Sequence, residues 1–278
     1  MIPAPFDYEV ADTVEHAVAL LGEREDAKLL AGGHSLIPLL RLRVARPMLL
    51  VDLGRVESLS YVRDAGDKIA IGALTRHHDV HTAPLLQEHC PLVSYTAGLI
   101  GDPQVRHRGT IGGSLAHGDP ASDMPAILLA LDGEVDIVGP DGVRTVTAAD
   151  FFRGVFETAA GPHDVVTEIR VPKLTADHGW SYLKFRHRSQ DWATVGAAVV
   201  AKRSNGGAAE AAISLVNMGA TPLRATAAET ALVAGEADPA AVAAEGTEPP
   251  SDTSGTADYR RHLARILVRR AVAEALAS

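Results

Sequence analysis

The first segment whose residue types point to chemistry is the glycine-rich turn Ala31-Gly32-Gly33-His34-Ser35-Leu36. It follows a short apolar run, Lys28–Ala31, that is typical of a strand, and it leads into Leu36–Val44, which we predict to be a helix. Glycines allow the backbone to approach a ligand closely and to present consecutive N–H groups, and a helix start favours negative charge. The segment therefore suits a diphosphate, although a plain strand-to-helix turn with Ser35 as N-cap fits the same residues.

A second run of small residues is Gly109-Thr110-Ile111-Gly112-Gly113-Ser114-Leu115, inside the Gly-, Asp- and Pro-rich stretch Gly101–Pro120 that we interpret as a loop. It again supplies backbone donors and two hydroxyl groups. The two glycine segments could close on opposite sides of one extended, phosphate-bearing ligand, with Asp123 accepting hydrogen bonds from ribityl or ribose hydroxyls. Two unrelated surface turns are the alternative interpretation.

Other motifs for chemistry are absent from the sequence or incomplete. It contains neither a Gly-x-Gly-x-x-Gly fingerprint nor a P-loop, and Ser35 lacks the second glycine of a hydrolase nucleophile elbow. His77 and His81 have a spacing that zinc sites use, but no third ligand is obvious, so we interpret them as a polar helix surface and predict no metal site. A single cysteine, Cys90, excludes an intrachain disulfide and an iron–sulfur cluster held by this chain alone; we expect it to be a buried small hydrophobe.

Composition narrows the class of protein further. The chain has 278 residues, which suggests about two domains at roughly 150 residues each. A formal net charge of −9 argues against nucleic-acid binding and against docking on an anionic membrane. No stretch approaches the roughly 20 apolar residues of a membrane span, and the first residues do not resemble a signal peptide. We therefore expect a cytoplasmic protein.

The pattern of elements predicts two domains, 1–175 and 176–278, and divides the first into subdomains of about 1–55 and 56–175. Residues 1–55 have the pattern helix–strand–turn–helix–strand, and Asp12-Thr13-Val14-Glu15 is typical of a capping box. The second domain contains three predicted strands, joined by turns such as Ser204-Asn205-Gly206-Gly207, and these strands are Trp180–Arg186, Ala193–Lys202 and Glu210–Met218. Its predicted helices are Arg224–Ala234, Asp238–Ala244 and Asp258–Ala277. We interpret the arginines of the last helix as a solvated face, and they are Arg260, Arg261, Arg265, Arg269 and Arg270.

Taken together, these motifs resemble the medium, FAD-binding subunit of the molybdenum hydroxylases. The resemblance rests on the two glycine segments, on Lys184-Phe185-Arg186 followed by Asp191-Trp192-Ala193-Thr194-Val195-Gly196, and on Asp258-Tyr259-Arg260-Arg261-His262-Leu263. It covers essentially the whole chain and is greatest to the flavoprotein subunit of aerobic carbon monoxide dehydrogenase, within the xanthine dehydrogenase family. It implies an α+β fold: a two-subdomain FAD-binding fold of the vanillyl-alcohol oxidase (PCMH) type, plus a C-terminal α/β domain with a three-stranded antiparallel sheet.

The same resemblance implies where FAD would bind. The first glycine segment would hold the diphosphate, Asp123 would contact the cofactor, and Lys184 would lie near the flavin. Trp192 would take the place of an aromatic residue beside the isoalloxazine, where we expect Tyr in the carbon monoxide enzyme. The full set of implied cofactor-binding residues is Ala31, Gly32, Gly33, His34, Ser35, Leu36, Ile100, Thr110, Ile111, Gly112, Gly113, Ser114, Asp123, Ile169, Lys184 and Trp192. No catalytic side chain and no metal ligand is expected in this chain.

The resemblance also implies partners and a task. A large subunit would carry the molybdenum–pterin cofactor, a small subunit would carry two [2Fe–2S] clusters, and the heterotrimer would dimerise. This chain would accept electrons from the clusters into FAD and pass them to an external acceptor. Two other functions stay open at this point: a stand-alone FAD-dependent oxidoreductase, and a non-catalytic assembly subunit that has lost FAD.

Overall fold

The computed structural model describes residues 1–204 and 206–277. Asn205, in the predicted turn of the C-terminal sheet, and Ser278 lie outside the described residues. The chain forms a small parallel sheet, then a larger antiparallel sheet covered by helices, then a second antiparallel sheet that packs on the long C-terminal helix. This order of elements brings the two glycine segments and the C-terminal sheet to one region of the molecule.

The N-terminal part is a parallel sheet in the order β1-β3-β2. Its elements are β1 (Asp7–Val10), α1 (Val14–Glu23), β2 (Lys28–Leu30), α2 (Leu36–Arg41) and β3 (Leu49–Asp52). The predicted capping box is wrong in detail, because Thr13 is the N-cap of α1 and accepts from the His16 N–H at 3.1 Å. The helix α2 ends before the predicted Val44, since Arg43 takes a left-handed φ of 58°.

The middle part is built on an antiparallel sheet in the order β4-β5-β10-β6-β7. Its strands are β4 (Val62–Ala65), β5 (Lys68–Gly72), β6 (Glu134–Gly139), β7 (Gly142–Thr147), β8 (Phe152–Gly154), β9 (Glu157–Thr158) and β10 (Val165–Pro172). Its helices are α3 (His77–Thr82), α4 (Pro84–His89), α5 (Pro91–Gly98), α6 (Pro103–Arg106), α7 (Ile111–His117), α8 (Asp123–Ala130) and α9 (Ala148–Phe151), with a 3₁₀ turn at Glu57–Leu59. Buried side chains of α5, α7 and α8 pack with those of β5, β6 and β10 into one core.

The predicted loop Gly101–Pro120 is wrong, because two short helices, α6 and α7, occupy most of it. Asp102 caps α6 by accepting from the Val105 N–H at 2.9 Å, and Thr110 caps α7 by accepting from the Gly113 N–H at 3.2 Å. The glycine content hid these helices, since glycine has low helix propensity. Gly112 is needed for packing: a Cβ there would lie 2.5 Å from the Cβ of Ala73.

The C-terminal part is an antiparallel sheet in the order β11-β12-β13-β14. Its elements are β11 (His178–Phe185), β12 (Val195–Ser204), β13 (Gly207–Val216), β14 (Leu223–Arg224), α10 (Thr226–Val233) and α11 (Ala257–Ala277). The three predicted strands are present, and the two-residue β14, too short to show a period, adds a fourth. The predicted helix Asp238–Ala244 is instead a 3₁₀ turn at Pro239–Val242.

The predicted solvated face of arginines on α11 is wrong for Arg260. This residue is 0% exposed, and its guanidinium donates to the Thr194 carbonyl and, at 2.7 Å, to Asp252. Arg269 follows the prediction, since it is exposed and pairs with Asp238 at 2.6 Å. A buried guanidinium needs acceptors for its donors; both terminal nitrogens of Arg260 have one, whereas its Nε has none among the described residues. The bond to Thr194 joins α11 to the residue before β12.

Two further sequence interpretations have clear outcomes. Cys90 is fully buried, as expected, and burial raises the pKa of its thiol to about 12. The interpretation of His77 as helix surface is wrong, because its ring is only 4% exposed and lies beneath the second glycine segment. In the part of the chain that the structure describes, no helix is long and apolar enough to cross a membrane.

Candidate cofactor site

The structure brings the two glycine segments into direct contact. A Cβ on Gly32 would lie 2.4 Å from the carbonyl oxygen of Arg108 and 2.7 Å from the Cα of Gly109, so no larger residue fits between the two backbones. Ala31 is adjacent as well, since a Cβ on Gly113 would lie 3.9 Å from that of Ala31. The turn after β2 and the start of α7 therefore form one continuous surface.

The first glycine segment leaves its backbone donors free. Within residues 1–204 and 206–277, the N–H groups of residues 32–36 donate no hydrogen bond, whereas the Ile37 N–H donates to the Gly33 carbonyl at 2.9 Å. Gly33 has a φ of 77°, a left-handed conformation that favours glycine. Ser35 precedes α2 but its hydroxyl makes no capping bond. A run of unpaired N–H groups at such a turn is a typical anion-binding concavity.

In the second glycine segment, the corresponding backbone N–H groups donate to other groups of the protein. The N–H of Ile111 donates to the Thr75 carbonyl at 3.1 Å, and that of Gly112 donates to the Ala73 carbonyl at 2.9 Å. The N–H of Gly113 donates to the Thr110 hydroxyl. This segment therefore contributes shape and packing to the surface, while the first contributes free donors.

A chain of polar contacts runs from the second glycine segment into the C-terminal sheet. The hydroxyls of Ser114 and Ser122 are 2.8 Å apart, and Ser122 precedes Asp123 at the start of α8. The Asp123 carboxylate accepts from Lys184 Nζ at 2.8 Å and from the Tyr182 hydroxyl at 2.5 Å. The Asp123 and Lys184 side chains are 5% and 4% exposed, so this ion pair joins α8 to β11 inside the molecule.

Positive charge collects beside the glycine segments in a protein that is acidic as a whole. Arg76 donates to the Arg108 carbonyl, and its pKa is lowered by burial and then by the charge of Arg108. Burial, followed by the nearby charges of His34 and Arg106, lowers the pKa of His77 to about 4. Such a concentration of cationic groups favours an anionic ligand here.

The remaining predicted residues are less close to this surface. Ile100 is half-buried, and Arg106 donates to its carbonyl at 3.0 Å. Trp192 is 54% exposed in the connection from β11 to β12. Ile169 is 0% exposed within the core on β10. Its side chain has no face open to a ligand in this conformation.

Sequence reasoning missed Tyr182 and placed His77 wrongly at the surface, and both residues shape this site. Tyr182 lies two positions before Lys184 on β11, and strand alternation puts both on one face of the sheet; that signal could have found it. His77 gave no such signal, because its burial depends on the fit of α3 beneath Gly109. The described residues contain no cluster of His, Cys, Asp and Glu that could hold a metal ion.

The donor set fits the diphosphate of FAD. Five consecutive free N–H groups, a closely packed glycine surface and neighbouring cationic side chains match a group with two negative phosphates.

Comparison with known proteins agrees with this class of site. Residues 4–174 match the family model described as "FAD binding domain in molybdopterin dehydrogenase", and residues 180–275 match "CO dehydrogenase flavoprotein C-terminal domain". The chain therefore belongs to the FAD-binding medium subunits of the molybdenum hydroxylases, and the predicted α+β, two-part FAD-binding fold with its C-terminal domain is confirmed.

Individual relatives agree over the full length. The chain is 42% identical to the carbon monoxide dehydrogenase medium chain of Hydrogenophaga pseudoflava, covering 98% of this chain and 97% of the relative. It is 40% identical to 6-hydroxypseudooxynicotine dehydrogenase complex subunit alpha of Paenarthrobacter nicotinovorans, with coverage of 99% and 96%.

Solved structures are also similar to this chain over its full length. Carbon monoxide dehydrogenase from Hydrogenophaga pseudoflava superposes with a TM-score of 0.97 at 44% identity, covering 100% of this chain and 99% of that chain. Quinoline 2-oxidoreductase from Pseudomonas putida 86 gives a TM-score of 0.95 at 30% identity, with coverage of 100% and 99%. This chain is thus the FAD-binding component of an oxidoreductase that has further subunits.

Proposed function

We propose that this subunit receives electrons from [2Fe–2S] clusters on a small partner subunit and passes them, through FAD, to an external acceptor. The observation that carries the proposal is the run of free N–H groups at residues 32–36, packed against the second glycine segment. Bound FAD supplies the redox chemistry; the protein supplies binding, orientation and electrostatics. No general acid or base in this chain is required for that task.

Each group of site residues has a role in this proposal. The backbone of 31–36 binds the diphosphate, and Arg76 with Arg108 favours its charge. Residues 110–114 form the opposite wall, with the glycines keeping it flat enough for close approach. Asp123 accepts hydrogen bonds from cofactor hydroxyls, while Lys184 holds that carboxylate and lies on the flavin side.

Three hydrophobic residues complete the proposed flavin environment. Ile100 follows Leu99, whose carbonyl accepts from Arg186 at 3.2 Å. Arg186 begins the connection from β11 to β12, and the same connection contains Trp192. The exposed Trp192 ring supplies an aromatic surface for the isoalloxazine. Ile169 contacts the flavin only if the core side chains beside it move, because it is fully enclosed.

The assembly follows from the same proposal. A large molybdopterin-binding subunit and a small iron–sulfur subunit join this chain, and the heterotrimer dimerises. We place the complex in the cytoplasm, an assignment that the single, buried Cys90 supports because oxidising compartments favour disulfides. The domain division at about residue 175, with subdomains meeting near residue 55, belongs to this proposal as well.

Substrate choice belongs to the partners. The relatives at 42% and 40% identity carry names that refer to carbon monoxide and to a nicotine derivative. Similar medium chains thus occur with chemically different substrates, so we propose that the molybdenum subunit selects the substrate.

The test is an absorbance spectrum of the purified chain and of the co-expressed complex, with the released cofactor identified after denaturation. We expect flavin bands and released FAD from the complex. A complex without flavin, even after FAD is added, would contradict the proposal and favour an assembly subunit. Turnover of a small organic donor by the isolated chain would favour a stand-alone oxidoreductase.

A matched pair of variants tests the diphosphate assignment. Gly33 and Gly66 have φ values of 77° and 81°, so Gly33→Ala and Gly66→Ala carry a similar backbone strain of about 1 kcal/mol. The pair differs in side-chain contact, since a Cβ on Gly33 would lie 2.6 Å from the flexible end of Ile37 and one on Gly66 would meet nothing within 4 Å. Only Gly33 lies in the proposed cradle, whereas Gly66 lies in the turn between β4 and β5. FAD should be lost from the first variant alone; equal FAD content in both would contradict the assignment.

A further inference from the structure

The candidate site contains a buried tyrosine that lies outside both glycine segments. Tyr182 is 1% exposed, and its hydroxyl donates to Asp123 Oδ1 at 2.5 Å, while Lys184 Nζ donates to Oδ2 at 2.8 Å. Tyr182 and Lys184 both lie on β11, two residues apart, and Asp123 begins α8. The carboxylate is therefore held from one strand by two donors, one on each oxygen.

The neighbouring strand leaves space for this phenol. Gly196 on β12 pairs with Lys184, and a Cβ on Gly196 would lie 2.8 Å from the Tyr182 hydroxyl oxygen and 3.0 Å from Val216 Cγ2. Any larger residue at position 196 would displace the hydroxyl from Asp123. Gly196 and Tyr182 thus act together, because the missing side chain at Gly196 on β12 allows the Tyr182 hydroxyl on β11 to reach Asp123.

The geometry has a consequence for the acceptor role of Asp123. A carboxylate has about four acceptor sites, and Tyr182 and Lys184 use one on each oxygen, which fixes its plane and leaves further lone pairs in set directions. The phenol remains a donor, because burial and then the charge of Asp123 raise the pKa of Tyr182 well above its ordinary value.

We propose that Tyr182, in the space left by Gly196, is a positioning residue that aims the Asp123 carboxylate at a hydroxyl group of the bound FAD. This rests on the proposed function, in which Asp123 accepts from the cofactor. It extends the proposed cofactor site to two residues of the C-terminal sheet, Tyr182 and Gly196.

The first test is Tyr182→Phe in the assembled complex, which removes one atom and keeps the ring. The FAD would be removed and titrated back, and the dissociation constant measured from flavin fluorescence. We expect FAD binding to weaken about tenfold. Without the Tyr182 hydroxyl the Asp123 carboxylate is no longer held in one plane and loses most of its hydrogen bond to the cofactor, and a hydrogen bond to a charged group contributes at least that much. The melting temperature of the FAD-free complex is recorded in parallel.

A matched control separates positioning from stability. Ser181 is the residue before Tyr182 on β11; it is 3% exposed and donates to the Glu274 carboxylate at 2.6 Å, toward α11. Ser181→Ala also deletes a buried hydroxyl-to-carboxylate bond, but away from the site. We expect it to lower the melting temperature and leave FAD affinity unchanged. If Tyr182→Phe behaves like Ser181→Ala, the positioning role is overturned.

A double variant tests the pairing with Gly196. Gly196→Ala should weaken FAD binding because it displaces the Tyr182 hydroxyl, and it should weaken binding no further when Tyr182 is already phenylalanine. If the losses of FAD affinity in the two single variants add in the double variant, Gly196 does not act through Tyr182. A wild-type complex that never takes up FAD is a different result, since it refutes the proposed function itself.

Discussion

The two glycine segments of this protein have similar compositions and different physical roles. In residues 32–36 the N–H groups have no partner among the described residues, and the conformation needs glycine at Gly33. In residues 109–114 the N–H groups at the start of α7 are paired with the protein, and Gly112 is required by contact with Ala73. Gly33 therefore permits a left-handed turn with unpaired donors in the first segment, whereas Gly112 permits close packing in the second.

The variant with the largest expected effect is Gly32→Val, which acts at the contact between the segments. The new side chain would meet the Arg108 carbonyl at 2.4 Å and must force the two backbones apart. We expect FAD binding to fall by a factor of about one hundred or more, because a cradle displaced by an ångström loses several hydrogen bonds of about 1 kcal/mol each. FAD content of the purified complex measures the loss. Gly22→Val is the control, since a Cβ there meets nothing within 4 Å.

The role of packing in the second segment predicts a loss of stability. Gly112→Ala places a Cβ 2.5 Å from that of Ala73 and 2.7 Å from the Ala73 carbonyl oxygen. We expect the free energy of unfolding to fall by about 3 kcal/mol, as overpacking does, in a denaturant titration. Gly113→Ala should cost only about 1 kcal/mol, because its Cβ would lie 2.8 Å from the Thr110 hydroxyl, a side-chain atom that can rotate away with the loss of its capping bond. An equal or larger loss at Gly113 would contradict the comparison.

The pH dependence of the free energy of unfolding should report on the packing beneath the second segment. His77 packs beneath Gly109, and burial lowers its pKa to about 4. The unfolded chain therefore takes up a proton as the pH falls below about 6.5 while the folded chain does not, so stability decreases on acidification. We expect about 2 kcal/mol of lost stability between pH 7 and pH 5 from this group. His77→Gln should remove that component, and an unchanged slope in the variant would show that His77 is not its source.

The smallest effects compare the two hydroxyls that precede helices. Thr110 accepts from the Gly113 N–H at 3.2 Å, whereas Ser35 makes no capping bond. Thr110→Ala should lower the free energy of unfolding by about 1 kcal/mol, and Ser35→Ala should leave it nearly unchanged while weakening FAD binding. Chemical denaturation and FAD titration of both variants measure the two effects. A larger loss of stability in Ser35→Ala than in Thr110→Ala would contradict the assignment of helix capping to Thr110.

The sequence by itself determined the elements whose patterns are local. The strand–turn–helix at residues 28–41, the three long strands of the C-terminal sheet and the helix after residue 257 follow from apolar periodicity and from glycine placement. The single cysteine excluded iron–sulfur ligation by this chain alone. The combination of motifs indicated the family, because both glycine segments and the C-terminal pattern recur in one order.

Only the tertiary structure decided which backbone donors are free and which charges are buried. Composition cannot separate residues 31–36 from 109–114, since the difference lies in whether Thr75 and Ala73 supply acceptors from elsewhere in the chain. Arg260 looks like any surface arginine in the sequence, yet acceptors on Thr194 and Asp252 make its burial possible. Hydrogen bonds and close packing between distant residues depend on three-dimensional distance, and a local sequence pattern does not contain that distance.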